Sequence, residues 1–392
     1  MKNEIFDYVR SIQEEIIGYR RHLHENPELS FQEYQTRDFI FEKLKSFGLE
    51  PKIIGETGVT ALVINNQQSE NEPCIGLRAD MDALPIEEQA KVPFKSKNSG
   101  VMHACGHDVH TSILLGVAKV LSKYKHLLKQ PIKLISQPGE EKLPGGASVL
   151  IKAGILDHPK VEKIYGLHVS PELKVGQIGY RSGIYMASCD EIYIDIHGKG
   201  GHGALPQNCV DPIVIGASLV MDLQQIISRK GDPRIPSVLT FGHFEALGAT
   251  NVIPNEAKLK GTFRTFNEEW RAKAHQWIEK STQAIVESAG GKVDIRIEKG
   301  YPFLKNDALL TSQFVTTMQE NTEITLVPLE IRMTSEDFSY YTQEVPAVFF
   351  RLGTSDEKNQ TQYSVHNSNF LVNEECIYHG INTFIFNTLN IK

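Results

Sequence analysis

Short apolar runs alternate with amphipathic segments through the first half of the chain, and this order constrains the fold more than any other feature. Residues 74–79, 132–136 and 163–169 have the pattern of buried strands. Residues 108–124 and 146–153, which lie between them, have helical spacing. Strands that alternate with helices form layers in which helices cover a largely parallel sheet. We therefore predict an α/β fold with a mixed, largely parallel sheet flanked by helices.

The pattern changes near the middle of the chain. Apolar and polar residues alternate over 191–197, and a long helical pattern covers 212–229, which is typical of an α+β unit. A chain of 392 residues exceeds the size at which one hydrophobic core stops growing, which also favours two domains. We predict a discontinuous main domain of residues 1–186 and 301–392, with a smaller α+β domain, residues 187–300, inserted into it.

Composition and charge argue against several classes of function. The chain has 41 Lys and Arg against 48 Asp and Glu, a formal net charge of -7, and no basic run, so we expect no nucleic-acid partner. No segment approaches the ~18 apolar residues of a membrane span, and the N-terminus lacks the apolar region of a signal peptide. The five cysteines are scattered, which argues against a disulfide framework. We expect a cytoplasmic protein without a membrane partner.

The densest group of metal-binding residue types lies at residues 102–110, with the sequence MHACGHDVH, directly before a predicted helix. Cys105 and His107 can bind one metal ion from such a loop, because Gly106 between them allows a tight backbone turn. A solvated loop without a ligand is the alternative. The residue types and their spacing favour a metal site.

Carboxylates follow two of the predicted strands. Asp80 and Asp82 lie on the same face at the end of one buried strand, and Glu140 and Glu141 follow the next one. Adjacent carboxylates repel each other and are best tolerated beside a cation, so one glutamate can bind metal while its neighbour transfers protons. The aspartates could instead cap a turn, and the glutamate pair could be an ordinary surface feature.

Two single histidines occupy comparable positions. His168 ends the predicted strand at 163–169, and His366 lies in the segment YSVHNS. Taken alone, each is more typical of an ordinary histidine that binds no metal. The ends of parallel strands meet along one edge of a sheet, where side chains that are distant in sequence share one cleft. We therefore expect these histidines to converge with the cysteine and the carboxylates.

Taken together, five segments resemble hippurate hydrolase, the N-acyl-amino-acid amidohydrolases and the plant auxin-conjugate hydrolases, which are dinuclear metallo-aminoacylases related to zinc carboxypeptidases. The segments are RADMDALP at 78–85, HACGHD at 103–108, QPGEE at 137–141, GGHGALP at 200–206 and NVIPN at 251–255. The resemblance extends over nearly the whole chain, from RRHLH at 20–24 to VHN at 365–367. It implies hydrolysis of the amide bond of an N-acyl-L-amino acid, with an acetyl, benzoyl or related acyl group, to a carboxylate and a free amino acid.

The resemblance also implies a site and its cofactors. The general base is Glu140, Asp82 is a further catalytic residue, and two divalent metal ions bind to Cys105, His107, Glu141, His168 and His366. Manganese is favoured, and zinc, cobalt or nickel also suit these donors. The lysine that follows the glutamate pair, Lys142, departs from the family pattern and bears on the charge of the acyl pocket.

By the same resemblance, residues 187–300 form a lid through which the chain assembles into a homodimer or homotetramer. His202 polarises the substrate carbonyl, in its own or in the partner's site, and Asn251 and Arg264 bind the substrate carboxylate. A structural role for His202 and a surface ion pair for Arg264 are the alternatives. Gln207 departs from the family pattern, since most relatives have a histidine at this position.

Other functions stay open on the residues alone. A cysteine hydrolase would use Cys105 as nucleophile with His107 or His103 as base, but the glutamate pair and the distant histidines would then have no role. A dipeptidase-like metallopeptidase and a non-catalytic metal-binding protein are further alternatives. The segment GKGGHG at 198–203 lacks the spacing of a phosphate-binding or dinucleotide-binding loop.

Overall fold

The computed structural model describes residues 1–356 and 363–389. They form two compact units. The first unit comprises Met1–Gly183, Lys305–Glu330 and Asp337–Lys392, and the second comprises Ile184–Leu304 and Ile331–Glu336.

The α-helices of the described residues are, in chain order, α1 (Lys2–Glu25), α2 (Tyr34–Ser46), α3 (His107–Lys123), α4 (Gly146–Lys152), α5 (Pro212–Gln225), α6 (Glu268–Ser288), α7 (Ala308–Asn321), α8 (Ser339–Glu344) and α9 (Cys376–Thr388). The strands are β1 (Lys52–Ile54), β2 (Gly58–Val63), β3 (Cys74–Asp80), β4 (Ile132–Gln137), β5 (Val161–Lys174), β6 (Gln177–Tyr180), β7 (Gly183–Met186), β8 (Asp190–His197), β9 (Gly201–His202), β10 (Ser237–Glu245), β11 (Val252–Ile253), β12 (Glu256–Thr265), β13 (Lys292–Lys299), β14 (Leu304–Asn306), β15 (Thr325–Pro328) and β16 (Ala347–Ser355). None of the described helices is both long and apolar enough to cross a membrane.

The first unit is built on an eight-stranded sheet with the order β1-β2-β4-β3-β5-β16-β6-β15. At its centre β4, β3, β5 and β16 run parallel to one another, whereas β1, β2 and β4 are antiparallel neighbours and β6 is antiparallel to β16. β3 and β4 are buried along their whole length, as expected for central strands of an α/β sheet. The predicted fold class is confirmed.

α3 connects the core of the first unit with the MHACGHDVH loop, which contains the predicted metal ligands Cys105 and His107. Its apolar residues recur every four positions, and Val109, Ile113 and Val117 are fully buried, as helical periodicity requires. The helix packs against α1 and α9 and lies beside β3. This packing fixes the N-terminal end of α3, and with it the MHACGHDVH loop, next to the carboxyl end of β3.

The second unit contains a four-stranded antiparallel sheet with the order β10-β12-β8-β13. Ile192, Ile194 and Ile196 of β8 are fully buried and belong to a separate hydrophobic core with residues of α5 and α6. The helical pattern predicted over 212–229 divides here, because α5 ends at Gln225 and Ile226–Lys230 form a π-helical turn. The role of this unit as lid and dimerisation domain stays a prediction.

A buried ion pair stabilises the second unit. The Asp190 carboxylate accepts a hydrogen bond from Arg271 Nε at 2.9 Å, and Arg271 also donates to the main-chain oxygens of Cys189 and Gly300. Removal of Arg271 breaks this buried pair and leaves the Asp190 side chain with His275 Nε2, at 2.7 Å, and the Gly300 amide as partners. We expect Arg271→Ala to lower the free energy of unfolding by about 3–5 kcal/mol in urea denaturation.

Lys273→Ala is the matched control for this prediction. Lys273 lies on the same helix and pairs with Glu269 at 2.6 Å, but both side chains are largely exposed. Exposed pairs contribute little, so we expect a change below ~1 kcal/mol. Equal losses for the two variants would contradict a stabilising role of the buried pair.

Candidate metal centre

Gly106 shapes the loop that carries Cys105 and His107. It lies at the N-terminal end of α3 with a φ of +85°, a left-handed conformation that glycine adopts without strain. A Cβ atom at this position would lie 2.6 Å from Val169 Cγ2. The absence of a side chain therefore lets the loop approach β5, where His168 precedes Val169.

Three predicted ligands meet at this point of the first unit. Cys105 Sγ lies 3.2 Å from His168 Nε2. Ligand atoms of Cys105, His107 and His168 all lie within 4.8 Å of one another, and all three residues are buried. The three side chains are therefore close enough together to hold one metal ion.

A loop near the C-terminus brings His366 to the same place. The His366 amide donates to the Ala104 oxygen at 2.8 Å, and His366 Nε2 lies 3.2 Å from Glu141 Oε1. Ligand atoms of Cys105, Glu141 and His366 lie within 4.8 Å of one another. The backbone of His366 has a φ of +66°, a conformation that is costly for a residue with a side chain and that clusters at functional sites.

Hydrogen bonds orient the buried imidazole rings. His107 Nδ1 donates to the main-chain oxygen of Asp82 at 2.9 Å, and His168 Nδ1 donates to the main-chain oxygen of Val169 at 2.7 Å. Nε2 of each ring thereby faces the cluster, and in a neutral imidazole it is the nitrogen that can bind a metal ion. Among the residues that the structure describes, buried His107 Nε2 and Glu141 Oε1 accept or donate no hydrogen bond, although they lie 3.8 Å from Asp80 Oδ2 and 3.2 Å from His366 Nε2, respectively. Such buried atoms are rare, and a bound cation would satisfy both.

Asp82 connects two of the predicted ligands. Its Oδ1 lies 3.2 Å from His107 Nδ1, and its Oδ2 accepts hydrogen bonds from the Glu141 amide at 2.9 Å and from Ser30 Oγ at 2.6 Å. These contacts hold His107 and Glu141 in a fixed relation. The catalytic role assigned to Asp82 from the sequence stays a prediction.

Asp80 and Asp337 both accept hydrogen bonds from Arg78, a connection that sequence reasoning does not find. Arg78 donates to Asp80 Oδ2 at 2.6 Å and to Asp337 Oδ1 at 2.7 Å, and the Asp337 amide donates to Glu140 Oε1 at 3.4 Å. The one signal in the sequence is an arginine inside a buried strand, where a charge needs partners. Its partner Asp337 lies 259 residues further along the chain.

His110 forms the second connection of Asp80. Its Nδ1 donates to Asp80 Oδ1 at 2.5 Å, and its Nε2 accepts a hydrogen bond from the Val169 amide at 2.9 Å. Val169 directly follows His168. His110 therefore links the end of β3 to the part of β5 that presents His168.

The charges of the cluster favour a cation. Burial raises the pKa of the Cys105 thiol well above its usual range, and nearby carboxylates, Glu141 foremost, raise it further. Burial lowers the pKa of His107, but the carboxylates of Asp80 and Asp82 outweigh this and raise it to about 10. A thiolate at this position therefore needs a cation beside it. A set of sulfur, imidazole and carboxylate donors suits first-row transition metals.

The predicted substrate contacts lie in the second unit. β9 and β11 pair so that His202 lies opposite Val252, the residue after Asn251. His202 is exposed, and its Nδ1 accepts a hydrogen bond from the Ala204 amide at 3.0 Å, so Nε2 carries the proton. Arg264 donates to the main-chain oxygen of Met333 at 3.0 Å. No ion pair of Arg264 with an acid occurs within 1–356 and 363–389.

The sequence pattern of Peptidase family M20/M25/M40 matches residues 76–385, more than three quarters of the chain. The chain belongs to this family. The M20-family protein is therefore a hydrolase, and the resemblance that its motifs indicate is confirmed.

Named relatives match most of the M20-family chain. It is 44% identical over 301 residues to the N-acyl-L-amino acid amidohydrolase of Geobacillus stearothermophilus, which covers 76% of this chain and 80% of that protein. It is 38% identical over 377 residues to thermostable carboxypeptidase 2 of Saccharolobus solfataricus. This match covers 95% of this chain and 94% of that protein. This chain also matches the crystal structure of the Bacillus subtilis YXEP protein, a dinuclear metal-binding peptidase from the M20 family, with a TM-score of 0.82 at 32% identity. The match covers 97% of this chain and 98% of that chain.

We expect Gly106→Ala to destabilise the protein by about 1–3 kcal/mol, because alanine at this φ is strained and its Cβ would collide with Val169. Chemical denaturation of the metal-free protein measures this loss without any effect of metal binding. Gly18→Ala in α1 is the control, since a Cβ there meets nothing within 4 Å. It should leave stability unchanged or raise it by up to ~1 kcal/mol. A neutral Gly106→Ala would contradict the close approach of loop and strand.

Proposed function

We propose that this M20-family hydrolase cleaves the amide bond of N-acyl-L-amino acids and releases a carboxylate and a free amino acid. The observation that carries the proposal is the convergence of a thiol, imidazoles and carboxylates from distant segments in one buried cluster. The relative from Geobacillus stearothermophilus, which is named for this reaction, supports the substrate class. The free state of all five cysteines supports a cytoplasmic location.

The proposed cofactors are two divalent metal ions, held by Cys105, His107, Glu141, His168 and His366. His107 Nε2 and Glu141 Oε1, which are buried and form no hydrogen bond among the described residues, fit such ions. When bound, two metal ions lower the pKa of a water molecule and polarise the carbonyl oxygen of an amide. Manganese is the proposed metal on the family resemblance, and the donor set also suits zinc, cobalt and nickel.

Glu140 is the proposed general base. It is 7% exposed, directly precedes Glu141, and accepts a long hydrogen bond from the Asp337 amide. Its carboxylate takes a proton from the attacking water and then donates that proton to the departing amine nitrogen. Both transfers require the carboxylate to keep one position between the two reacting atoms.

The proposed substrate contacts are His202, Asn251 and Arg264. His202 Nε2, which carries the proton, would donate to the carbonyl oxygen as negative charge develops there, in its own or in the partner's site. An arginine guanidinium is suited to bidentate binding of a carboxylate. We therefore propose that Arg264, with Asn251, recognises the free α-carboxylate of the amino-acid half.

A carboxypeptidase or dipeptidase activity is the second candidate. The observation that favours it is the 38% identity to thermostable carboxypeptidase 2 over nearly the full length of both chains. Peptides and N-acyl-amino acids present the same free α-carboxylate next to the amide that is cleaved, so the two activities differ only in the acyl half of the substrate.

We expect the manganese-loaded protein to release free amine from at least one class in a panel of N-acetyl, N-benzoyl and long-chain N-acyl amino acids and dipeptides. A chelator should abolish this release and added manganese should restore it, because the proposed nucleophile depends on the metal. Release that survives the chelator would instead favour a thiol nucleophile at Cys105. Release from dipeptides alone would favour the second candidate.

Glu140→Gln tests catalysis separately from metal binding. It should retain both metal ions in elemental analysis but lower kcat by about 10²- to 10⁴-fold, because general base catalysis typically contributes that much. Glu162→Gln is the control, since Glu162 is exposed and bonds to Gln130. Wild-type kcat in Glu140→Gln would remove this residue from the mechanism.

We also propose that the protein is a homodimer through its second unit. The exposed face of α5 carries two large apolar side chains: Val214 is 64% exposed and Met221 is 72% exposed, and neighbouring Ile213 is 41% exposed. Residues seven apart lie on one side of a helix, and a monomer rarely leaves such an apolar stripe uncovered. A second copy of the chain covers it in the proposed dimer.

We expect Met221→Glu to convert the dimer to a monomer in size-exclusion chromatography with light scattering, because a charge would be buried in the interface. Ala272→Glu, which adds the same charge on the exposed face of α6, should leave the dimer intact. A wild-type protein that is monomeric at micromolar concentration would contradict this part of the proposal.

A further inference from the structure

We infer that Glu33, at the N-terminal end of α2, is a positioning residue that holds Glu140 in place. The inference rests on the proposed role of Glu140 as general base. Glu33 is fully buried, and its hydrogen bonds go to the segment 31–33, to Thr57 and to Gly139 rather than to a proposed metal ligand.

The Glu33 carboxylate bridges two turns of the chain. Its Oε1 accepts hydrogen bonds from the Phe31 amide at 2.9 Å and from the Gly139 amide at 2.8 Å. Its Oε2 accepts a hydrogen bond from Thr57 Oγ1 at 2.8 Å. One carboxylate oxygen thus joins the turn before α2 to the loop that follows β4, and Gly139 directly precedes Glu140.

The two turns also fit each other sterically. Phe31 has a φ of +64° and Gly139 a φ of +61°, and a Cβ on Gly139 would lie 2.4 Å from the Phe31 ring. A positive φ is unfavourable for phenylalanine, so the contacts around this turn must stabilise it. The hydrogen bond from its own amide to Glu33 is one such contact.

A second connection restrains the other side of Glu140. Ser30 Oγ donates to Asp82 Oδ2, and the same oxygen accepts a hydrogen bond from the Glu141 amide. The segment 30–33 is therefore attached to the amide before Glu140 through Glu33 and to the amide after it through Asp82. The main chain of Glu140 is fixed at both neighbours.

Glu33 has no cationic partner among the residues that the structure describes, so its hydrogen bonds to the main chain explain why a carboxylate occupies this buried position. Within the described residues, no lysine, arginine or histidine forms an ion pair with it. Burial, and next the carboxylate of Asp82, raise the pKa of Glu33 to about 7. A buried carboxylate without a cation destabilises a fold. The carboxylate compensates for this cost because one of its oxygens accepts hydrogen bonds from two main-chain amides, those of Phe31 and Gly139.

The test compares Glu33→Ala with Glu33→Gln. A glutamine can keep the geometry, because its amide oxygen accepts from both main-chain amides and its NH₂ group donates to the Thr57 hydroxyl. We expect Glu33→Ala to lower kcat by about 10- to 100-fold with less change in KM and with unchanged metal content, because a displacement of ~1 Å of a catalytic group can cost 10²-fold. Glu33→Gln should stay within about threefold of the wild-type kcat.

Amide hydrogen exchange provides a measurement that does not depend on turnover. In a peptide that spans 137–141, exchange should be slow in the wild type and in Glu33→Gln, and faster in Glu33→Ala, which loses the acceptor of the Gly139 amide. Leu44→Ala is the matched control, because Leu44 is buried in the same helix α2. It should lower thermal stability but leave kcat and the exchange of 137–141 unchanged.

The outcomes separate this inference from the proposed function. Wild-type kcat and slow exchange in Glu33→Ala would overturn the inference, and so would equal losses in Glu33→Ala and Glu33→Gln or a matching loss of kcat in Leu44→Ala. Absence of turnover by the wild type on every substrate would contradict the proposed function. Exchange of 137–141 would then still show whether Glu33 holds the loop.

Discussion

The burial of two aspartates at the carboxyl end of β3 is the constraint on which the rest of the site depends. Asp80 is 0% exposed and Asp82 is 1% exposed, and a buried carboxylate is tolerated only when hydrogen bonds and opposite charges compensate it. Asp80 meets this need with Arg78 and His110. Asp82 meets it with His107, Ser30 and the amide of Glu141. The partners of the two aspartates thereby fix α3, the turn before α2 and the loop after β4 around one point.

Helix α1 also stabilises this arrangement, through contacts with Asp108 in the first turn of α3. Arg20 Nε donates to Asp108 Oδ2 at 2.7 Å, and His24 Nδ1 lies 2.8 Å from the same oxygen. Burial raises the pKa of Asp108, but Arg20 and His24 outweigh this, so the pKa lies far below its usual range. The first turn of α3 is therefore tied to α1 by a charged network next to the cluster.

Sequence reasoning finds the fold class and the residue types of the site because both depend on local order. Buried strands such as β3 and β4 have continuous apolar runs, and the helix predicted over 108–124 is found at His107–Lys123. Cys105, His107, Glu140, Glu141, His168 and His366 are indicated by residue type, by position at the ends of predicted elements and by the family resemblance, and the structure brings their ligand atoms into overlapping groups. The short strands β6 and β15 have too few residues for a period to be recognised.

The sequence by itself determined which elements form and which residues carry metal-binding chemistry, because backbone periodicity and side-chain chemistry are properties of neighbouring residues. Only the tertiary structure decided which oxygen faces which donor. Glu33 and Asp337 are ordinary charged residues in the sequence, and their roles arise from partners up to 259 residues away. Hydrogen bonds between distant segments depend on sheet order and loop packing, and no local pattern specifies either of them.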